Sequence, residues 1–124
     1  MKLFDSLTHA TADGSWFGER LLDASLPTLV RGMDEAGVHR ACLVAIADYQ
    51  DNAFVLQAAQ QDPRRFVPIA GVNPRVLATN RRIDAVLREL KAQGFAGVKL
   101  HPRLNGYDPL DPKCVAAVES AGEH

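Results

Sequence analysis

Apolar positions along this chain follow two alternating patterns. Short apolar runs rich in Val, Ile, Leu or Phe span Lys2 to Ser6, Ala41 to Ala47, Phe66 to Val72 and Gly97 to His101. Each is followed by a turn and then by residues apolar at helical spacing, the rhythm of repeated βα units. Leu26, Leu29, Val30 and Met33 mark the first helix, with Ser25 placed to cap its start and Gly37 to end it. Phe54, Val55, Ala58 and Ala59 form a second stripe after Asp51, and Asp62-Pro63 ends it because proline has no amide hydrogen to give. Ile83, Val86, Leu87 and Leu90 form the third, opened by Thr79 or Asn80 and closed by Gly94. Asp111-Pro112 opens a fourth helix, which carries Val115 and Val118 to near Gly122.

Runs apolar on every residue, such as Cys42-Leu43-Val44-Ala45-Ile46, predict strands buried on both faces, as in a parallel sheet covered by helices. The class is therefore α/β. Two architectures compete. One is an open doubly wound sheet; the other is a parallel (βα)4 half-barrel, the first half of a TIM (β/α)8 barrel that typically needs ~250 residues. A length of 124 residues favours the open sheet and predicts a single domain over 1–124. The placement of polar residues favours the half-barrel.

That placement is a concentration at the carboxyl ends of the apolar runs: Asp5 and His9, Asp48, Asn73, then Lys99 and His101. In α/β folds these ends are where ligands bind. Alternation sets Lys99 and His101 on the face opposite Val98 and Leu100, and puts Asp5, Leu7 and His9 on one face of the first run. Two imidazoles two residues apart beside a carboxylate would hold a divalent metal, but here Leu7 stands at the first of those positions. Asp13 to Gly18 reads as a lid, with Trp16 and Phe17 either covering a substrate or packing the loop. Each polar residue also has a structural reading. His9 can be a hydrogen-bonded core residue, His101 can cap the loop backbone, and Lys99 can pair with Asp5. His39 reads as a solvent residue, and His124 as a disordered terminus.

Asp5-Ser6-Leu7-Thr8-His9 and Gly97-Val98-Lys99-Leu100-His101-Pro102-Arg103, with the following Asn105-Gly106-Tyr107, resemble the amidohydrolase superfamily, in particular its amidohydrolase-related metal-dependent hydrolases with a TIM-barrel fold. The resemblance implies the N-terminal half of such a barrel, whose members are about twice this length. It implies a hydrolase acting on a C–N or C–O bond at a carbonyl centre of a small molecule by metal-assisted water attack. Decarboxylation within the same superfamily is a related possibility. The resemblance puts Asp5 at the opening of the family's first-strand motif and His9 at a metal position; with the strand-end reading, the candidate catalytic residues are Asp5, Lys99 and His101, the candidate substrate contacts Arg103, Asn73 and Trp16, and the candidate metal residue His9. With Leu7 replacing a family ligand, at most one divalent metal such as zinc is expected, weakly held. The competing reading is an inactive half-barrel that self-associates or binds a partner.

Fourteen basic against fifteen acidic side chains give a formal charge of −1, which offers no field to a nucleic-acid backbone or an anionic membrane. The expected partners are a small-molecule substrate and either a second copy of the chain or a missing C-terminal half. No apolar stretch reaches membrane-spanning length, the start is unlike a signal peptide, and Cys42 and Cys114 read as reduced, buried thiols; the expectation is a cytoplasmic protein.

Overall fold

The computed structural model describes residues 2–19 and 21–124. Its strands are β1 (Leu3–Thr8), β2 (Val38–Val44), β3 (Phe66–Gly71) and β4 (Gly97–Lys99). They lie in the order β1-β2-β3-β4, and every neighbouring pair is parallel. The helices are α1 (Leu26–Glu35), α2 (Asn52–Gln61), α3 (Asn80–Gln93), α4 (Pro102–Asn105) and α5 (Pro112–Glu123), with a 3₁₀ turn at Pro74–Val76. The sheet curls into a half-barrel with alternating helices, half of a TIM barrel. A doubly wound sheet would place β1 in the interior; here it is an edge.

Local chemistry explains the helix ends. Asp51 accepts a hydrogen bond from Ala53 N, Thr79 from Arg82 N and Asp111 from Lys113 N, each filling an orphan donor of the first turn. Gly94 ends α3 at a φ of 110°, in the left-handed region. Ser25 stands at the N-cap position of α1, but its hydroxyl makes no cap bond and instead donates to Thr28 Oγ1.

Ala41, Leu43 and Ala45 on β2 and its extension, with Phe66, Ala70 and Val72 along β3, are all at most 5% exposed. Val55 and Ala58 of α2 and Ile83 and Leu87 of α3 complete this core. Small alanines on the sheet let the helices approach closely.

Several expected boundaries move. β2 begins at Val38 because Val38 pairs with Leu3, which puts His39 on an exposed strand position rather than in a loop. It stops at Val44 rather than Ala47. β4 ends at Lys99, since the chain enters the cap of α4 at His101. β1 runs on to Thr8, and it is irregular: Asp5 pairs with Ala41 and Thr8 with Leu43, so three residues of β1 step against two of β2. That shift breaks the alternation that would have set Asp5, Leu7 and His9 on one face. His124 is ordered, its imidazole 2.7 Å from Asp84 Oδ1. Cys114 is buried but Cys42 is only half-buried. Among the described residues, no helix is long and apolar enough to cross a membrane.

Gly71 shapes the upper end of the sheet. A Cβ there would sit 2.4 Å from Ala47 N and 2.8 Å from Ile46 C, so the chain leaving β2 crosses directly over this glycine. Asn52 holds the crossing, donating to the Gly71 carbonyl at 3.1 Å and accepting from Gly71 N at 2.8 Å.

Candidate active site

The crossing at Gly71 delivers Asp48, Tyr49 and Gln50 to the carboxyl ends of the strands. Asp48 adopts a φ of 69°, strained for any residue but glycine. Its Oδ2 accepts from Asn73 Nδ2 at 2.7 Å and from Asn105 Nδ2 at 2.9 Å. Asn105 Nδ2 also donates to the Ala47 carbonyl, and the Tyr49 hydroxyl donates to the Leu104 carbonyl. One carboxylate thus laces together the loops that follow β2, β3 and β4. Asn73 is buried, and its Oδ1 accepts from Arg75 N, so both ends of its amide are directed into the protein.

His9 lies just beyond β1. Its Nδ1 is 2.7 Å from the Val44 carbonyl, which can only accept, so the proton sits on Nδ1 and Nε2 carries the lone pair. Burial pushes the His9 pKa below its ordinary value of 6.5, and the charges of Lys99 and His101 push the same way; the hydrogen bonds to Val44 and Gln50 partly oppose this. His9 is therefore a neutral base at neutral pH. Its ring lies 5.5 Å from that of Trp16, tilted by 46°; Trp16 meets Phe17 edge-on at 4.8 Å, and Phe17 meets Tyr49 edge-on at 5.1 Å. The loop that carries Trp16 makes a tight turn in which Trp16 and Glu19 exchange backbone hydrogen bonds. Phe17 at a φ of 51° and Gly18 at 79° supply the positive dihedrals of a type I′ turn.

On β4, Val98 pairs with Ala70 of the helix-side core, while Lys99 pairs with Gly71. Lys99 therefore occupies the opposite face, toward the open interior of the half-barrel, and is half-buried. Among the described residues it forms no ion pair with Asp5. Asp5 is exposed, and its Oδ1 accepts from Leu7 N at 3.0 Å. His101 caps α4, its Nδ1 accepting from Leu104 N at 3.3 Å, and Arg103 is exposed one residue past the start of that helix.

The site residues expected from sequence thus separate into two groups. His9, Trp16, Lys99 and His101 share one neighbourhood, with Arg103 on the turn that follows, while Asp5 stands apart on β1. Tyr49, Gln50 and Asn105 were missed as members of the rim; the signal for them was a polar triplet directly after the apolar run and the Asn105-Gly106 turn. A cavity of about 460 Å³ beside this turn is lined by Phe17 and Tyr49 and by the acids Asp13, Asp48 and Asp51. Among the described residues no three His, Cys, Asp or Glu side chains converge and Leu7 has no donor atom, so toward a divalent metal this half-barrel offers His9 Nε2 as a single imidazole donor, its Nδ1 held by the Val44 carbonyl.

No protein-family model matches the chain, and no curated protein does. A solved structure does: that of a probable 2-pyrone-4,6-dicarboxylic acid hydrolase from Acinetobacter baumannii, with citric acid bound. The two share 26% identity and a TM-score of 0.65, over 99% of this chain and 46% of that one. This chain spans less than half the length of that protein.

Proposed function

We propose that this chain is the first half-barrel of an amidohydrolase-superfamily hydrolase whose substrate is a small molecule bearing carboxylates. The observation that carries the reading is Lys99 on the inner face of β4, followed by the exposed Arg103, in a half-barrel similar to a dicarboxylic acid hydrolase with citric acid bound. A guanidinium grips a carboxylate through two parallel hydrogen bonds, and an ammonium attracts it as a point charge. The acidic wall of Asp13, Asp48 and Asp51 repels the same anion, which favours the β4 side of the rim.

In this reading water adds to the carbonyl carbon of a C–O or C–N bond. His9 Nε2 takes the proton of the attacking water, and Lys99 stabilises the oxyanion that forms. When the carbonyl re-forms and the C–O or C–N bond breaks, the proton returns from His9 to the leaving atom. His101 positions Arg103 by capping α4, Trp16 covers His9, and Asn73 holds the rim through Asp48. Asp5 is the carboxylate available on β1. The free Cys42 and Cys114 support a reducing, cytoplasmic setting.

The test is ring-opening of a cyclic ester dicarboxylate by this chain and by a version extended through four further βα units. Lys99→Met in the extended version should lower kcat about 10²–10³-fold, the cost of one oxyanion donor. Undiminished turnover by that variant would refute the assignment. A second reading, an inactive half-barrel, is favoured by the exposed apolar residues of β1; absence of turnover in both versions would support it.

A further inference from the structure

We infer that Tyr49 decides which ligands fit this site, by propping the Trp16 loop against His9. The inference rests on the function proposed above and adds a positioning residue to it. Tyr49 is 48% exposed, so the core does not hold its ring. Contacts at both ends do. Its hydroxyl donates to the Leu104 carbonyl of α4 at 3.2 Å, and its ring meets Phe17 edge-on at 5.1 Å. Phe17 in turn meets Trp16, whose ring lies 5.5 Å from that of His9. Tyr49 is thus a post between the helical turn that carries Arg103 and the loop that sets Trp16 against His9.

Backbone strain marks this contact. Among the described residues, the non-glycine residues with positive φ are Phe17, at 51°, and Asp48, at 69°. One makes the contact and the other immediately precedes Tyr49. Such dihedrals persist where the surroundings over-determine them, and they gather at functional sites. Asp48 is held by Asn73 and Asn105. Tyr49 N and Gln50 N both donate to the Ile46 carbonyl, at 3.1 and 2.8 Å, while Gln50 Oε1 accepts from Ile46 N at 3.1 Å. Tyr49 therefore projects from a rigid turn. The Trp16 loop is fastened at its base, where Thr11 N donates to the Ala24 carbonyl and Ala24 N to the Gly14 carbonyl, both at 2.9 Å. Its tip leans on Tyr49 through Phe17 and on His9 through Trp16. A ligand that reaches His9 Nε2 must fit beside an indole whose position Tyr49 sets, so a slender polycarboxylate is admitted and a broad aromatic one is hindered.

Acrylamide quenching of Trp16, the chain's one tryptophan, reads the post without any ligand. Tyr49→Ala should shift the loop toward its open form about two- to tenfold, the worth of one edge-on aromatic pair, and quenching should rise with it. Tyr49→Phe keeps the ring and loses only the bond to Leu104, so it should fold as the wild type does and give a smaller rise. Calorimetric titration with citrate and with trimesate, a flat aromatic tricarboxylate, reads ligand choice. The wild-type chain should prefer citrate, and Tyr49→Ala should reduce that preference at least about threefold, a small part of what pocket shape can decide. If Tyr49→Ala does not fold, Tyr49→Phe decides both measurements. Unchanged quenching, or a citrate preference that the variants leave intact, would overturn the inference while the proposed function stood. A wild-type chain that binds neither anion would overturn the proposed function, and the inference with it.

Discussion

β1 and β3 are both strands of six residues, but β1 carries Asp5, Ser6 and Thr8 where β3 carries no polar side chain, and they live in different surroundings. On β3, Phe66 and Ala70 are 3% and 0% exposed beneath the helices, and both edges are paired. On β1, Leu3, Phe4 and Leu7 stay exposed, one edge is free and the register slips. The difference comes from neighbours as well as from composition. The centre of the sheet is paired on both sides, whereas among the described residues β1 is paired on one side alone. The same division runs through the rim: the loops after β2, β3 and β4 are laced through Asp48, whereas the chain after β1 meets them through His9 on the Val44 carbonyl and Phe17 against Tyr49.

Substitutions can break this contrast. The largest effect is expected at the centre, where Gly71→Ala drives a methyl into the backbone of Ala45 to Ala47 and should cost several kcal/mol or abolish folding, read by urea denaturation. Leu43→Ala, at 0% exposure, should cost about 2–5 kcal/mol. Leu7→Ala on β1, at 50% exposure, should cost less than about 0.5 kcal/mol. Equal losses at Leu43 and Leu7 would erase the distinction between a finished centre and an open edge.

The lacing of the rim comes next. Asp48→Ala removes the acceptor for both Asn73 and Asn105 and should cost about 1–3 kcal/mol, whereas Asn105→Ala should cost about 1 kcal/mol. Asp48→Gly separates the bonds from the strain: it loses the same acceptor but relaxes a φ of 69°, so it should fall less than Asp48→Ala. A smaller effect belongs to His9. Its folded pKa is depressed, so the unfolded chain binds the proton more readily, and the stabilising contribution present above pH 6.5 is lost as pH falls. His9→Asn should flatten the dependence of stability on pH just below that value.

The sequence reveals elements whose causes are local. Asp51, Thr79, Gly94 and Asp111 mark helix ends because caps act over a few residues, and the stripe of Ile83, Leu87 and Leu90 faces the core because helical periodicity requires it. The start of β2 was less visible, since His39 and Arg40 join the strand through pairing with an edge and not through burial. The slip in β1 was hidden for the same reason. Lys99 was legible from alternation against Val98. The bonds from Asp48 to Asn73 and Asn105 join residues 25 and 57 positions apart, and no local pattern encodes them. His101 had two local readings, and the start of α4 at Pro102 decides for the cap.

The central claim, that the β4 side of the rim receives a polycarboxylate, is tested most directly by titrating citrate into this chain. The fluorescence of Trp16, the chain's one tryptophan, reports the titration from beside His9. A saturable change is predicted for the wild-type chain, weakened at least about tenfold in Lys99→Met, the loss of one charge-assisted contact. A titration without saturation, or one that Lys99→Met leaves untouched, would contradict it.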